Sequence, residues 1–176
     1  MTEAPDPARL AREALTLLAE RGETLATAES LTGGLLGELI TDVPGASLSY
    51  LGGVISYATR LKSTLAGVSS ETLEALGPVA ARTAGEMASG VAARCDAVWG
   101  LSTTGVAGPD PQDGHPVGQV FVGLSGPSGR HLVQELALPG GRRQIRRMTA
   151  AYALGLLIRA LREETLGDVG SPGINA

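Results

Sequence analysis

The apolar positions alternate between helical and strand spacing along the chain, and the order of that alternation predicts the fold. Leu10, Ala14, Leu17 and Leu18 form a helical stripe across residues 7–20, with Asp6 placed to cap it and Pro7 in its first turn. Arg21-Gly22 ends that helix. A short strand over 24–28 leads directly into Glu29-Ser30-Leu31-Thr32-Gly33-Gly34 and a helix over 33–40. Pro44-Gly45 breaks the chain, a second strand over 51–57 holds two glycines, and a short helical piece carries Arg60 and Lys62. Ser70 is placed to cap a helix through Leu76, which Gly77-Pro78 stops. A longer helix over 79–94 shows Thr83, Ala84, Met87 and Val91 on one face. A buried strand over 97–102 runs into an irregular stretch over 103–116, the longest inside the domain and of the kind that often carries function. Strands over 118–125 and 130–138, joined by Gly126-Pro127-Ser128-Gly129, read as an antiparallel hairpin, and a last helix follows from Arg142 to about residue 164. The pattern predicts an α/β fold, with helices on both faces of a mostly parallel five-stranded sheet that has an antiparallel member.

Length changes this picture little: 176 residues suit one domain, expected over residues 1–166, with a disordered tail over 167–176. No uninterrupted apolar run reaches the length of a bilayer span. The acidic opening Met1-Thr2-Glu3-Ala4-Pro5-Asp6-Pro7 lacks the features of a secretory signal, and Cys95 is the single cysteine. Cytoplasm is the expected compartment. A net charge of -4 argues against a nucleic-acid partner and for small molecules. Of the 14 basic residues thirteen are arginine, so Lys62 stands out. Lysine can lose its proton when buried whereas arginine cannot, which makes Lys62 either a candidate for proton chemistry or a surface remnant.

Ser30 lies where a strand hands over to a helix, with Gly33 and Gly34 permitting a tight turn. Its hydroxyl could act as a nucleophile beside helix amides that stabilise an oxyanion, or it could merely cap the helix. His115 and His131 have no acidic orienter in view and read as a loop and a strand residue, so a Ser-His-Asp triad is not favoured. Lys62 is the better base, and Tyr57 could relay the proton or hold the amine, or could simply be an aromatic at the core's edge. Arg142, Arg143, Arg146 and Arg147 crowd a helix start, where cations oppose the helix dipole. A substrate phosphate, a carboxylate of a neighbouring subunit or plain solvation would each relieve them. No residues have metal-ligand spacing, and the glycines fail the phosphate-loop and dinucleotide patterns.

Several stretches together resemble the CinA C-terminal family. They are Ala28-Glu29-Ser30-Leu31-Thr32-Gly33-Gly34, Asp42-Val43-Pro44-Gly45-Ala46-Ser47, Gly52-Gly53-Val54-Ile55-Ser56-Tyr57 with Lys62 beyond, Thr104-Gly105-Val106-Ala107-Gly108-Pro109, and Pro116-Val117-Gly118. The resemblance covers nearly the whole chain. It implies a three-layer α/β/α sandwich and, from the stand-alone members, hydrolysis of nicotinamide mononucleotide to nicotinic acid mononucleotide and ammonia, a step in pyridine nucleotide salvage. It further implies Ser30 as nucleophile with Tyr57 and Lys62 completing the catalytic group. Thr32, Gly33, Gly34, Thr104, Gly105 and Arg142 would then bind substrate, with no metal and no cofactor, in a homodimer or higher oligomer. Gly141 departs from the acidic residue usual before the arginine, and Ala80 from a capping serine. A non-catalytic binding module tied to competence or DNA damage is the rival reading, because relatives sit fused behind another domain.

Overall fold

The structure, a computed structural model, describes residues 6–168. Helix α1 (Pro7–Arg21) starts as the sequence predicts: Asp6 accepts from the Ala8 amide at 3.2 Å, and Gly22 closes the helix in the left-handed conformation. Its buried face is Leu10, Ala11, Ala14, Leu15 and Leu18, wider than the predicted stripe, with Leu17 at its margin.

Strand β1 (Leu25–Glu29) is buried at every position and lies between β2 (Tyr50–Ile55) and β3 (Trp99–Gly105), parallel to both. Strands β4 (Gln119–Gly126) and β5 (Arg130–Ala137) complete the order β2-β1-β3-β4-β5 through antiparallel pairings. Four strands therefore run one way and β4 opposes them, the mixed, mostly parallel five-stranded sheet that the alternation predicts.

Helix α1, α2 (Leu35–Thr41) and α6 (Arg142–Asp168) cover one face, where Leu25, Trp99, Leu101, Val120, Val122 and Leu124 build the larger core. The opposite face carries α3 (Thr59–Thr64), α4 (Ser70–Leu76) and α5 (Ala81–Cys95), with Met87 and Val91 of α5 clustered with Ala26 and Ala28 of β1. Helix α5 lies close to the sheet because Gly100 and Gly123 face it, and a Cβ at either would strike the Ala88 or Ala84 carbonyl. Together these make a three-layer α/β/α sandwich.

The first two connections run over opposite faces of the sheet. The chain passes by α2 on one face to β2, then by α5 on the other face to β3. Helices drawn to opposite faces leave a crevice between the carboxyl ends of β1 and β3, where open α/β sheets bind their ligands.

Several boundaries differ from the prediction, each for a local reason. Helix α2 begins at Leu35, not residue 33, because Gly33 and Gly34 take positive φ of 56° and 97°. Helix α5 begins at Ala81, after an Ala80 that is extended and offers no side-chain cap. Ser69, not Ser70, caps α4, accepting from the Thr72 amide at 3.1 Å. Strand β3 continues to Gly105 because its last residues pair with β4, so the irregular stretch is shorter than expected. The tail expected over residues 167–176 lies outside the described residues from 169 onward, and Gly167 and Asp168 belong to α6.

Candidate active site

Ser30 follows β1 directly, and its amide extends the ladder by donating to the Thr103 carbonyl at 2.9 Å. Beyond it the chain turns so tightly that Gly33 donates back to the Ser30 carbonyl at 3.0 Å. Thr32 is wholly buried and hydrogen-bonded through Oγ1 to Thr103 Oγ1 at 2.7 Å, which pins the turn to β3.

Lys62 is the buried residue of α3, 2% exposed, and its amine sits 2.8 Å from Ser30 Oγ. The same Nζ donates to the Ser56 carbonyl at 3.0 Å. The helix that delivers it is short but anchored at its end, where Val68 donates to the Lys62 carbonyl at 3.0 Å and Ala66 packs against Gly90 of α5. Burial disfavours the ammonium, and desolvation takes Lys62 from 10.5 down to about 8. A share of the lysine is therefore neutral near neutrality. In that form the contact runs the other way, with the Ser30 hydroxyl donating into the amine's lone pair.

The crevice around this pair is lined by Ser30, Tyr57, Lys62, Thr104, Gly105 and Arg142, six of the nine residues singled out from the sequence. Thr104 is held by its hydroxyl, which donates to the Pro78 carbonyl at 2.6 Å. Gly105 is required by contact: a Cβ there would meet the Gln119 carbonyl and Val120 of β4. Arg142 donates to the Tyr57 hydroxyl at 2.7 Å and to the Gly108 carbonyl at 2.9 Å, so it ties the end of β2 to the loop after β3. Both partners are neutral, and none of Arg142, Arg143, Arg146 and Arg147 makes an ion pair among the described residues. The positive charge at the crevice mouth stays available to an anion.

Three expectations change. Tyr57, 57% exposed, makes no hydrogen bond to Lys62 or Ser30 among the described residues, and the Ser56 carbonyl does the holding expected of it. Gly33 and Gly34 are outside the crevice lining, and their amides are engaged, the first by Ser30 and the second by Glu29. Thr32 is likewise outside the lining, its side chain turned to Thr103. The amides of Leu31 and Thr32 have no acceptor among the described residues, and Leu31 lines the crevice.

Two contributors escaped the sequence reading. Glu29 is 2% exposed and accepts from the amides of Gly34, Leu36 and Gly37 at 2.8 to 3.0 Å, capping α2 from within the sheet. Arg146 reaches across from α6 to the Leu31 carbonyl at 3.0 Å and the Thr32 carbonyl at 2.6 Å. The spacing held a clue to the second: positions 142 and 146 are four apart and share a helix face, while Arg143 and Arg147 face a groove beside Asp6 and Pro7. His115 bonds to Gln119 Oε1 at 2.9 Å and is outside the crevice lining.

The family model for the CinA C-terminal domain matches residues 7–161. The chain belongs to the CinA C-terminal domain family. A CinA-like protein of Frankia casuarinae is 50% identical over 147 residues, which cover 84% of this chain and 34% of that protein. A CinA-like protein of Acaryochloris marina is 48% identical over 147 residues, 82% of this chain and 35% of that one. The chain thus spans about a third of the length of these curated relatives. Among solved structures, the competence/damage inducible protein CihA from Agrobacterium tumefaciens superposes with a TM-score of 0.85 at 36% identity, covering 92% of this chain and 99% of that one. A CinA superfamily protein from Escherichia coli gives 0.82 at 26% identity, covering 90% and 94%. No described helix is long and apolar enough to cross a membrane.

Proposed function

We propose that this CinA-family domain is an amidohydrolase that cleaves the carboxamide of nicotinamide mononucleotide, giving nicotinic acid mononucleotide and ammonia. The observation that carries the reading is the 2.8 Å contact between Ser30 Oγ and a lysine whose amine is kept partly neutral by burial. A serine needs a base, and this one has it in direct contact.

In the proposed reaction Ser30 Oγ bonds to the carboxamide carbon while its proton passes to Lys62 Nζ. The carbonyl electron pair moves onto oxygen, where the unengaged amide of the crevice-lining Leu31 receives it, a well-placed donor contributing about 3 kcal/mol. The Nζ proton then goes to the departing nitrogen, the C–N bond breaks and ammonia leaves a Ser30 ester. Water attacks the ester, gives its proton to Nζ, and the serine oxygen recovers that proton as the acid departs. Arg142, cationic with neutral partners at the crevice mouth, is the proposed partner of the substrate phosphate, and Tyr57 and Thr104 flank the ring.

The test is ammonia release from nicotinamide mononucleotide by the parent, Ser30→Ala and Lys62→Arg. Both variants are expected to lose at least about a hundredfold in rate, since arginine cannot serve as a neutral base. Full activity in Lys62→Arg would remove the base from the scheme. Binding of the mononucleotide by a parent that releases no ammonia would instead favour the non-catalytic module.

A further inference from the structure

Among the described residues one buried side-chain polar atom has no hydrogen-bond partner, the Oγ of the wholly buried Ser56. A hydroxyl left unpaired in the interior is destabilising, and alanine would fill nearly the same space without that loss. Stability therefore does not account for Ser56.

Its position does. The Ser56 amide donates to the Glu29 carbonyl at 2.8 Å and its carbonyl accepts from Lys62 Nζ at 3.0 Å. The backbone is fixed between the Ser30 turn and the lysine, and the hydroxyl is carried on the Cβ of the same residue whose carbonyl is that acceptor. As an ammonium, Lys62 has three N–H donors. The structure supplies acceptors for two, Ser30 Oγ and the Ser56 carbonyl. We propose that Ser56 Oγ is the third acceptor, turning about χ1 to receive an N–H of Lys62 whenever the amine holds the proton taken from Ser30. Ser56 is then a positioning residue for the amidase reaction proposed above, on which this inference rests. Its hydroxyl is unpartnered while the amine is neutral and accepting from Ser30, and it gains its partner when the amine is protonated.

The charged or titratable groups around the amine are Tyr57, Asp110 and Arg142 in the crevice and Arg60 on α3, while Glu71 and Glu74 of α4 are exposed and Glu29 is turned into the α2 amides. All of them are retained in Ser56 variants. The single lysine of the chain makes the test direct: lysine labelled with carbon-13 at Cε reports one site, Lys62.

The parent, Ser56→Ala and Ser56→Thr are titrated by NMR, with urea denaturation and ammonia release measured alongside. In Ser56→Ala the Lys62 midpoint is expected to fall by about one pH unit and ammonia release by about tenfold, while the urea midpoint stays level or rises. Ser56→Thr, which keeps a hydroxyl, restores the titration and the rate. An unchanged Lys62 midpoint in the alanine variant overturns the proposal. So does a midpoint that moves equally in the threonine variant. Should Ser56→Ala fail to fold, Ser56→Cys supplies the same comparison with a poor acceptor. The titration needs no substrate, so a parent that releases no ammonia ends the amidase reading while the Lys62 midpoints still decide whether Ser56 receives the ammonium.

Discussion

Two ionisable side chains, Glu29 and Lys62, flank the Ser30 turn, each 2% exposed, and they are treated in opposite ways. Glu29 receives three amide N–H groups at the head of α2, a full reception for a buried carboxylate. Lys62 meets a hydroxyl and one carbonyl, and among the described residues no carboxylate pairs with it. The first is a charge built into the fold; the second is one the fold leaves poorly compensated. A buried cation held so loosely is readily neutralised, and a neutral amine against a serine hydroxyl is what the proposed amide hydrolysis uses.

Breaking the well-kept side should have the largest effect. Glu29→Ala orphans three amides at a helix start beside Ser30. It is expected to lose about 3 to 5 kcal/mol in urea denaturation, comparable to breaking a buried charged network. A loss below about 1 kcal/mol would mean that water replaces the carboxylate and that Glu29 does not hold the turn.

The poorly kept side should respond with the opposite sign. Lys62 titrates at about 8 in the folded chain against 10.5 when free, so the unfolded chain binds more protons between those values and stability rises with pH across that window. Lys62→Met removes the handicap. It is expected to be more stable than the parent by up to about 3 kcal/mol below pH 8, with the advantage fading by about pH 10.5, and to release no ammonia. In the parent, ammonia release should climb with pH toward a plateau above about 8, as the amine becomes available. Denaturant curves of both chains at pH 7 and pH 10.5 check the first statement, and a rate profile checks the second. A methionine variant less stable than the parent at pH 7 would show that Lys62 is a structural cation.

The same asymmetry explains what the sequence revealed and what it hid. Side chains with a periodic or compositional signature were legible: the Asp6 cap, the Thr83, Ala84, Met87 and Val91 face of α5, and Lys62 as a lone lysine among arginines. The pairing of Ser30 with Lys62 rests on the lone lysine, on the lack of a suitable histidine and on the family resemblance, because 32 residues separate the two and no local pattern brings them together. Backbone partners leave no mark in a sequence. The Ser56 carbonyl that holds the amine, and the Leu31 and Thr32 carbonyls that hold Arg146, could not be read from side-chain chemistry. Nor could the diversion of the Gly33 and Gly34 amides, since the glycines that permit the turn do not say where their N–H groups point.

Arg146 offers the smallest and most discriminating test of how the turn is held. Its guanidinium draws the Leu31 and Thr32 carbonyls toward α6. Because a trans peptide is planar with C=O and N–H opposed, fixing the Leu31 carbonyl aims the Thr32 amide away from α6. Arg146→Lys keeps the charge but cannot reach both carbonyls with one fork. It is expected to lower kcat about tenfold with KM changed less than about twofold, and to cost about 1 kcal/mol in urea denaturation. Arg143→Ala, on the helix face turned to Pro7, should leave both constants within about twofold. A rise in KM at constant kcat for Arg146→Lys would move that guanidinium from the turn to the substrate phosphate. The α6 arginines would then form one anion site rather than a binding residue and a clamp.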